Sequence, residues 1–226
     1  MFILPTMSRP DNVREILGRI KASGCTSKGI VFFDGQYDMS LNNCVFPEGW
    51  VSFLGDRNYG CIGALNKVFE MFPNEPWYGF LADDEFLLEG NPDDIVKAAG
   101  SWDIAHGWDD LHKGARLQGY VVFGGELVRA VGYLGVKECF HNFGFDSAWE
   151  WLCSPYTVLG GCNAAKIYLV DRVRIEHRHA GWGKSKNDEC YQKGFSTFED
   201  DRKRFVDWQN GDMRKAAERI KNARKS

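Results

Sequence analysis

No apolar run in this 226-residue chain approaches the ~20 residues of a membrane-spanning helix. No two cysteines are spaced C-x-x-C. The seven, Cys25, Cys44, Cys61, Cys139, Cys153, Cys162 and Cys190, are odd in number and scattered, which argues against a zinc module or a disulfide framework. Charge of one sign is also lacking: 28 Lys and Arg stand against 31 Asp and Glu, net −3, so the whole chain has no electrostatic pull toward nucleic acid or anionic lipid. Met1-Phe2-Ile3-Leu4 is interrupted by Pro5 before a signal-peptide core builds, so the expected address is cytoplasmic. Repeats and low-complexity tracts are absent. What remains is an ordinary globular composition, 44% hydrophobic and 26% charged, long enough for one domain or one domain with an appendage.

The stretch around which the chain is organised is Trp77-Tyr78-Gly79-Phe80-Leu81-Ala82-Asp83-Asp84-Glu85. Its apolar half reads as a buried strand, and the three carboxylates must then lie where the strand emerges from the sheet. In open α/β sheets ligands bind just beyond the carboxyl ends of strands. Continued strand alternation puts Asp83 and Glu85 on one side and Asp84 on the other. Two carboxylates on one side, together with phosphate oxygens, suit Mg2+ or Mn2+.

Upstream, Phe2-Ile3-Leu4 is a strand, Pro10 opens a helix with Val13, Ile16, Leu17 and Ile20 on one face, and Gly29–Phe33 is a second strand ending at Asp34-Gly35. Residues 35–49 are irregular, with an Asn42-Asn43 turn. Trp50–Leu54 is a strand, and Ile62, Leu65, Val68, Phe69 and Phe72 mark a helix. Strand ends repeatedly carry polar residues, as in a nucleotide-binding half. Downstream, a short helix follows Pro92, and Trp102–Ala105 and Tyr120–Phe123 are strands. Gly124 starts a helix through Val131, and Phe143-Gly144-Phe145-Asp146 leads into an aromatic helix. Ile167–Val170 and Val173–Glu176 read as two strands. His177-Arg178-His179 follows, then a polar, glycine-flanked flap over 181–194 and a helical tail. From Arg202 the tail carries nine Lys or Arg against three acids.

This order of features resembles small glycosyltransferases of the GT-A fold, soluble and bacterial or bacteriophage-like. The residues that carry the resemblance are Leu4-Pro5-Thr6 with Arg9-Pro10, Phe33-Asp34, Gly55-Asp56-Arg57-Asn58, Gly63-Ala64-Leu65-Asn66 and Phe80–Glu85, the last like a D-x-D motif with glutamate third. Residues 1–90 match well and 100–180 in outline. The resemblance implies a Rossmann-like three-layer α/β sandwich around a mixed, mainly parallel sheet, with residues 1–200 as one GT-A domain and 201–226 as a basic helical tail. It also implies a nucleotide-sugar donor, UDP-sugar favoured, and Mn2+ or Mg2+.

Carried over by position, the resemblance places Pro5, Thr6 and Arg9 along the nucleotide pocket. Asp34 bonds the imide of a uracil-like base, or else is a turn-forming Asp-Gly. Arg57 and Asn66 meet the phosphates or the sugar, Arg57 being otherwise a surface ion pair. Asp83 and Asp84 bind the nucleotide-sugar, Asp83 by ribose or a metal-bound water, and Glu85 ligates the metal. One of His177 and His179 is a further ligand, the ordinary alternative being a hydrogen-bonded histidine. Lys184 closes over the pyrophosphate, or is solvated. Asp146 is the candidate general base, or a cap of its helix. Trp102 and Trp149 stack on the acceptor, or belong to the core. A Glu-Asp pair of the usual inverting kind is missing.

The acceptor is a glycan or, as in some bacteriophage relatives acting in a host cytoplasm, a hydroxymethylated pyrimidine in DNA, to which the basic tail then binds. The competing readings are a non-catalytic GT-A-like module that binds glycan or nucleic acid, and a sugar-phosphate nucleotidyltransferase. The second expects a glycine-rich signature after the first strand, and Pro5–Pro10 has no glycine.

Overall fold

The computed structural model describes residues 1–35, 44–135, 144–153, 162–186 and 188–226. The Asn42-Asn43 turn, Phe143 and Cys139 lie outside the described residues.

The first half alternates strand and helix: β1 (Phe2–Thr6), α1 (Pro10–Ala22), β2 (Gly29–Phe33), β3 (Trp50–Leu54), α2 (Gly60–Met71) and β4 (Trp77–Phe80). β5 (Glu85–Glu89), α3 (Asp93–Ala99), β6 (Ile104–Asp109), β7 (Val121–Gly124), α4 (Gly125–Val131), α5 (Phe145–Cys153) and β8 (Ile167–His177) follow. A 3-10 turn (Ala180–Trp182) leads to α6 (Glu189–Ser196), α7 (Phe198–Asn210) and α8 (Met213–Ala223). The eight strands among the described residues form one sheet in the order β3-β2-β1-β4-β7-β6-β8-β5. β3, β2, β1 and β4 are parallel, β7 runs against both of its neighbours, β6 and β8 are parallel, and β5 closes the edge antiparallel to β8.

The layers follow from side-chain alternation along buried strands. Phe2 and Leu4 of β1, with Val31 and Phe33 of β2, pack against Val13, Ile16, Leu17 and Ile20 of α1 and Ile95 of α3. Ile3, Ile30 and Phe32 point to the other face, where α2, α4, α5 and α8 lie. Helix α1 begins as expected, with Pro10 in its first turn, Asp11 at its positive end and Arg19 and Lys21 at its negative end. Gly79 in β4 allows the close approach of β1, because a Cβ there would stand 2.3 Å from the Phe2 ring.

Three local expectations are corrected, and the tail is helical. The carboxylates do not extend β4, which ends at Phe80; the chain turns, Glu85 N–H donates to Ala82 O at 3.1 Å, and Glu85 opens β5. The alternation that put Asp83 and Glu85 on one side therefore does not apply. The two strands expected over 167–176 are one, β8; its register with β6 jumps from Gly107–Val170 to Trp108–Arg174, and this bulge leaves Asp171 and Arg172 exposed. The flap over 181–194 contains a 3-10 turn and the start of α6, whose N-cap Asp188 accepts from Tyr191 N–H. The tail is docked: Met213, Ala216, Ala217 and Ile220 of α8 and Trp208 of α7 join the core cluster beneath α4 and α5.

Candidate functional site

A cavity of about 420 Å³ opens at the carboxyl ends of β1, β2 and β4. Its walls come from successive strand ends: Pro5 and Thr6 from β1, Asp34 after β2, Asp83 and Asp84 after β4, and His177 from β8. Arg9, Glu85, His179 and Asp146 also line it. Ten of the residues expected at the site thus meet in one place.

Each side chain is held by a definite partner. Asp34 caps α2, its oxygens accepting Tyr59 N–H at 2.5 Å and Gly60 N–H at 2.9 Å. Any bond to a base is additional to these. Burial pushes the Asp34 carboxyl up, against the pull of these two donors. Gly35 at φ +78° lets the chain turn beneath Arg57 and Asn58, where a Cβ would lie 2.7 Å from Asn58 N.

Asp83 accepts from Thr6 Oγ1 at 2.9 Å and from Arg9 Nη1 at 2.7 Å. Burial pushes its carboxyl up to about 6, the Arg9 guanidinium pulling the other way. Asp84 accepts from Tyr191 Oη at 2.6 Å and lies 3.6 Å from His177 Nε2. Burial would raise this carboxyl, but His177, Tyr191 and Arg9 together hold it below the usual range. Glu85 accepts from the backbone N–H of Gly119 at 3.1 Å and Tyr120 at 3.3 Å, and burial pushes it up. His177 stands beside Glu85 in the β5–β8 register, with Nδ1 4.0 Å from Glu85 Oε1. Burial disfavours its charge, yet Asp84, Glu85 and Asp109 outweigh that and raise it to about 9. His179 accepts from Gly181 N–H at 3.1 Å and caps the 3-10 turn. Asp146, in the first turn of α5, is bound by Arg116 Nη2 at 3.0 Å, with Gln118 Nε2 at 3.4 Å.

Five expected residues fall elsewhere. Trp149 is 1% exposed, packs on Phe123 and donates to Leu134 O at 2.7 Å, so it is core and not an acceptor platform. Trp102 precedes β6, beside Gly124 and hence level with Trp77 at the amino end of β4, opposite the cavity. Asn66 is buried outside the cavity lining, where it donates to Gly135 O and accepts from Leu134 and Gly135 N–H, so it ties down the chain after α4 and does not face the phosphates. Arg57 stacks over Tyr59 at 4.8 Å and is outside the cavity lining. Lys184 is bound to Asp110 and not directed at the cavity.

Several residues of the site were not anticipated. Tyr191, Lys193 and Thr197 come from α6 and the residue that follows it, Tyr59 from the entry to α2, and Gln118 from the loop before β7. Tyr191 lies beneath Arg9, whose guanidinium is 4.3 Å from its ring and bonds Asp188 at 2.8 and 2.9 Å. Tyr191, Lys193 and Thr197 were signalled only by lying in or just after the glycine-flanked segment, Tyr59 by following Gly55–Asn58, and Gln118 by closing the polar run 107–118. Asp109 and His112, in the polar run 107–118, come together with His177.

No protein-family model matches the chain, and no curated protein matches its sequence. Solved structures do resemble it. TarS 1–349 of S. aureus, in complex with UDP-GlcNAc, superposes with a TM-score of 0.53 at 12% identity over 79% of this chain. The chain spans 58% of that TarS chain's length. GalNAc-T7, crystallised with UDP, GalNAc and Mn2+, gives 0.53 at 11% identity over 78% of this chain and 42% of its own. HddC from Yersinia pseudotuberculosis gives 0.51 at 12% identity, over 87% of this chain and 98% of its own. The sheet order and these likenesses establish the GT-A fold, an α/β architecture around a mixed sheet. No helix among the described residues is long and apolar enough to cross a membrane.

Proposed function

We propose that the chain is a metal-assisted glycosyltransferase that moves a sugar from a nucleotide-sugar, UDP-sugar by preference, to an acceptor hydroxyl. The observation that carries this is the cavity at the strand ends. It gathers the cation Arg9, the carboxylates Asp83 and Asp84, the two histidines and, across it, Asp146. UDP-GlcNAc with TarS, and UDP with Mn2+ in GalNAc-T7, support the donor class.

A divalent cation fits the donor chemistry of the site, because His177 Nδ1 is buried among several carboxylates with no hydrogen-bond partner among the described residues. When bound, such an ion neutralises charge on the departing nucleoside diphosphate. The chain's own residues do the rest. Thr6 and Arg9 fix Asp83 at the nucleotide side. Tyr191 draws α6 onto Asp84, which screens the cavity from water. The acceptor oxygen attacks the anomeric carbon as the bond to the diphosphate oxygen breaks, and Asp146, oriented by Arg116, takes the hydroxyl proton.

The acceptor hydroxyl belongs to a glycan or to a hydroxymethylated pyrimidine in DNA. On the tail, Arg202, Arg204, Lys215 and Arg224 are already paired with Glu199, Asp200, Asp212 and Asp103, which reduces the positive surface available to a phosphate backbone. The test is nucleotide release from UDP- and GDP-sugars, followed by mass spectrometry with Mn2+ or EDTA, and with oligosaccharides or hydroxymethylated DNA added. Metal-dependent UDP release, slowed by Asp146→Asn, is expected. Stimulation by DNA that falls steeply with salt assigns the nucleic-acid acceptor, and salt-insensitive transfer to a sugar assigns the glycan. No release with any donor overturns the transferase and leaves a binding module.

A further inference from the structure

The acids around the cavity divide into those whose oxygens are already occupied and those whose oxygens are not. Asp83 is committed to Thr6 and Arg9, and Glu85 to two backbone N–H groups. Behind His177, at the carboxyl ends of β6 and β8, lies a different set. Asp109, His112 and His177 each bring one potential ligand atom, and these atoms all lie within 4.8 Å of one another.

Two features set this cluster apart from a turn that happens to contain histidine. Asp109 is 0% exposed. Its Oδ1 caps the turn, accepting Leu111 N–H at 3.0 Å and His112 N–H at 2.8 Å, with His112 Nδ1 at 3.1 Å. Capping accounts for Oδ1 and leaves Oδ2, which is buried with no hydrogen-bond partner among the described residues. His177 Nδ1 is likewise buried with no hydrogen-bond partner among the described residues, Glu85 Oε1 standing 4.0 Å away. A native fold rarely leaves such atoms unmet, and two in one cluster point to a missing electrophile. The surroundings keep the groups in place: Asp110 Oδ1 accepts His177 N–H at 2.8 Å, and the Trp182 ring packs edge-on to His112 at 6.5 Å.

We propose that Asp109, His112 and His177 form a divalent-metal site, and that these three, not Asp83 and Glu85, are the protein's metal ligands. Two imidazoles and a carboxylate select a first-row transition ion such as Zn2+ or Co2+ over Mg2+ or Ca2+, which favour all-oxygen shells. Three protein ligands leave coordination positions open. Through His177, which lies 3.6 Å from Asp84, the site adjoins the cavity. The inference deepens the metal dependence of the proposed transferase, and its test needs no turnover.

The test uses the full chain stripped with EDTA. Co2+ is titrated and followed by its visible ligand-field bands, with Zn2+ and Mg2+ as competitors. Tight binding of one Co2+, displaced by Zn2+ and not by Mg2+, is expected. His112 is 23% exposed, so His112→Gln should fold, with melting by circular dichroism as the control. It should weaken Co2+ binding by more than the ~10–100-fold that loss of an outer partner costs. Asp109→Asn should do the same, whereas Asp83→Asn and Glu85→Gln should stay within a few-fold of the native chain. Absence of Co2+ binding overturns the site, as does unchanged affinity in a folded His112→Gln variant, or loss confined to the Asp83 and Glu85 variants. If no Co2+ binds and nucleotide is nonetheless released, the site falls and a metal-independent transferase stands. If Co2+ binds as described and no donor is turned over, the site stands and the transferase falls.

Discussion

The hydroxyl of Tyr191 meets the carboxylate of Asp84 at 2.6 Å across 107 residues of chain, with the carbonyl of Arg178 3.0 Å away. One proton serves one acceptor at a time, and the charged carboxylate is the stronger. This contact joins α6 to the strand-end acids and closes one side of the cavity.

Tyr191→Phe removes that bond and keeps the ring under Arg9. A bond to a charged group contributes about 1.5–3 kcal/mol, so kcat/KM for the donor should fall roughly 10-fold or more. Steady-state kinetics alongside thermal melting check this. Native kcat/KM would show that α6 does not organise the site.

Arg9 and Asp83 predict a pH dependence of stability. The folded Asp83 carboxyl is raised to about 6 from 3.8. The folded chain therefore holds a proton that the unfolded chain has released between about pH 4 and 6. Stability falls as the pH rises through that window, with the full cost present above about 6. The shift corresponds to as much as about 3 kcal/mol. Asp83→Asn should remove this slope from urea unfolding measured at pH 4 to 8. Arg9→Ala should steepen it, because Asp83 then lacks its counter-charge; a flat native profile would contradict a burial-raised Asp83 carboxyl.

Asp93 predicts the opposite sign. Burial alone would raise its carboxyl, but hydrogen bonds from Ser27, Thr26 and Cys25 hold it at about 2. Its contribution is present above the ordinary value near 4 and is lost as the pH falls toward 2. Asp93→Asn should lose most of this at pH 7 and little at pH 2.5. A loss equal at both would place the effect in packing.

Trp149 and Asn66 are predicted to act on stability, not on substrate. Trp149→Ala should cost about 3–5 kcal/mol as a core cavity. Asn66→Ala strands the N–H groups of Leu134 and Gly135 and should cost about 1–3 kcal/mol. With folded protein, acceptor KM should stay native in Trp149→Phe. A raised KM there would return Trp149 to the site.

How much was legible in the sequence differs by kind of residue. Val13, Ile16, Leu17 and Ile20 announced α1 because helix period is written locally, and Pro10 and Asp11 announced its start. β5 escaped because three acids at its head look like a loop, and β8 was split because Asp171-Arg172 looks like a break when it is a bulge. Asn66 carried a motif-like spacing but spends its amide on the chain after α4.

By itself, then, the sequence determined the alternation of buried strands and amphipathic helices, and the placement of Thr6, Asp34 and Asp83 at strand ends. Those follow from period, turn chemistry and the cost of burying charge. The tertiary structure alone decided which acids are spent and which are free. The turn at Ala82–Glu85 parted Asp83 from Glu85. The β5–β8 register then set His177 beside Glu85, and the β6–β8 pairing brought Asp109 and His112 to it. Contacts between groups so far apart in the chain depend on sheet register, and no local spacing encodes that.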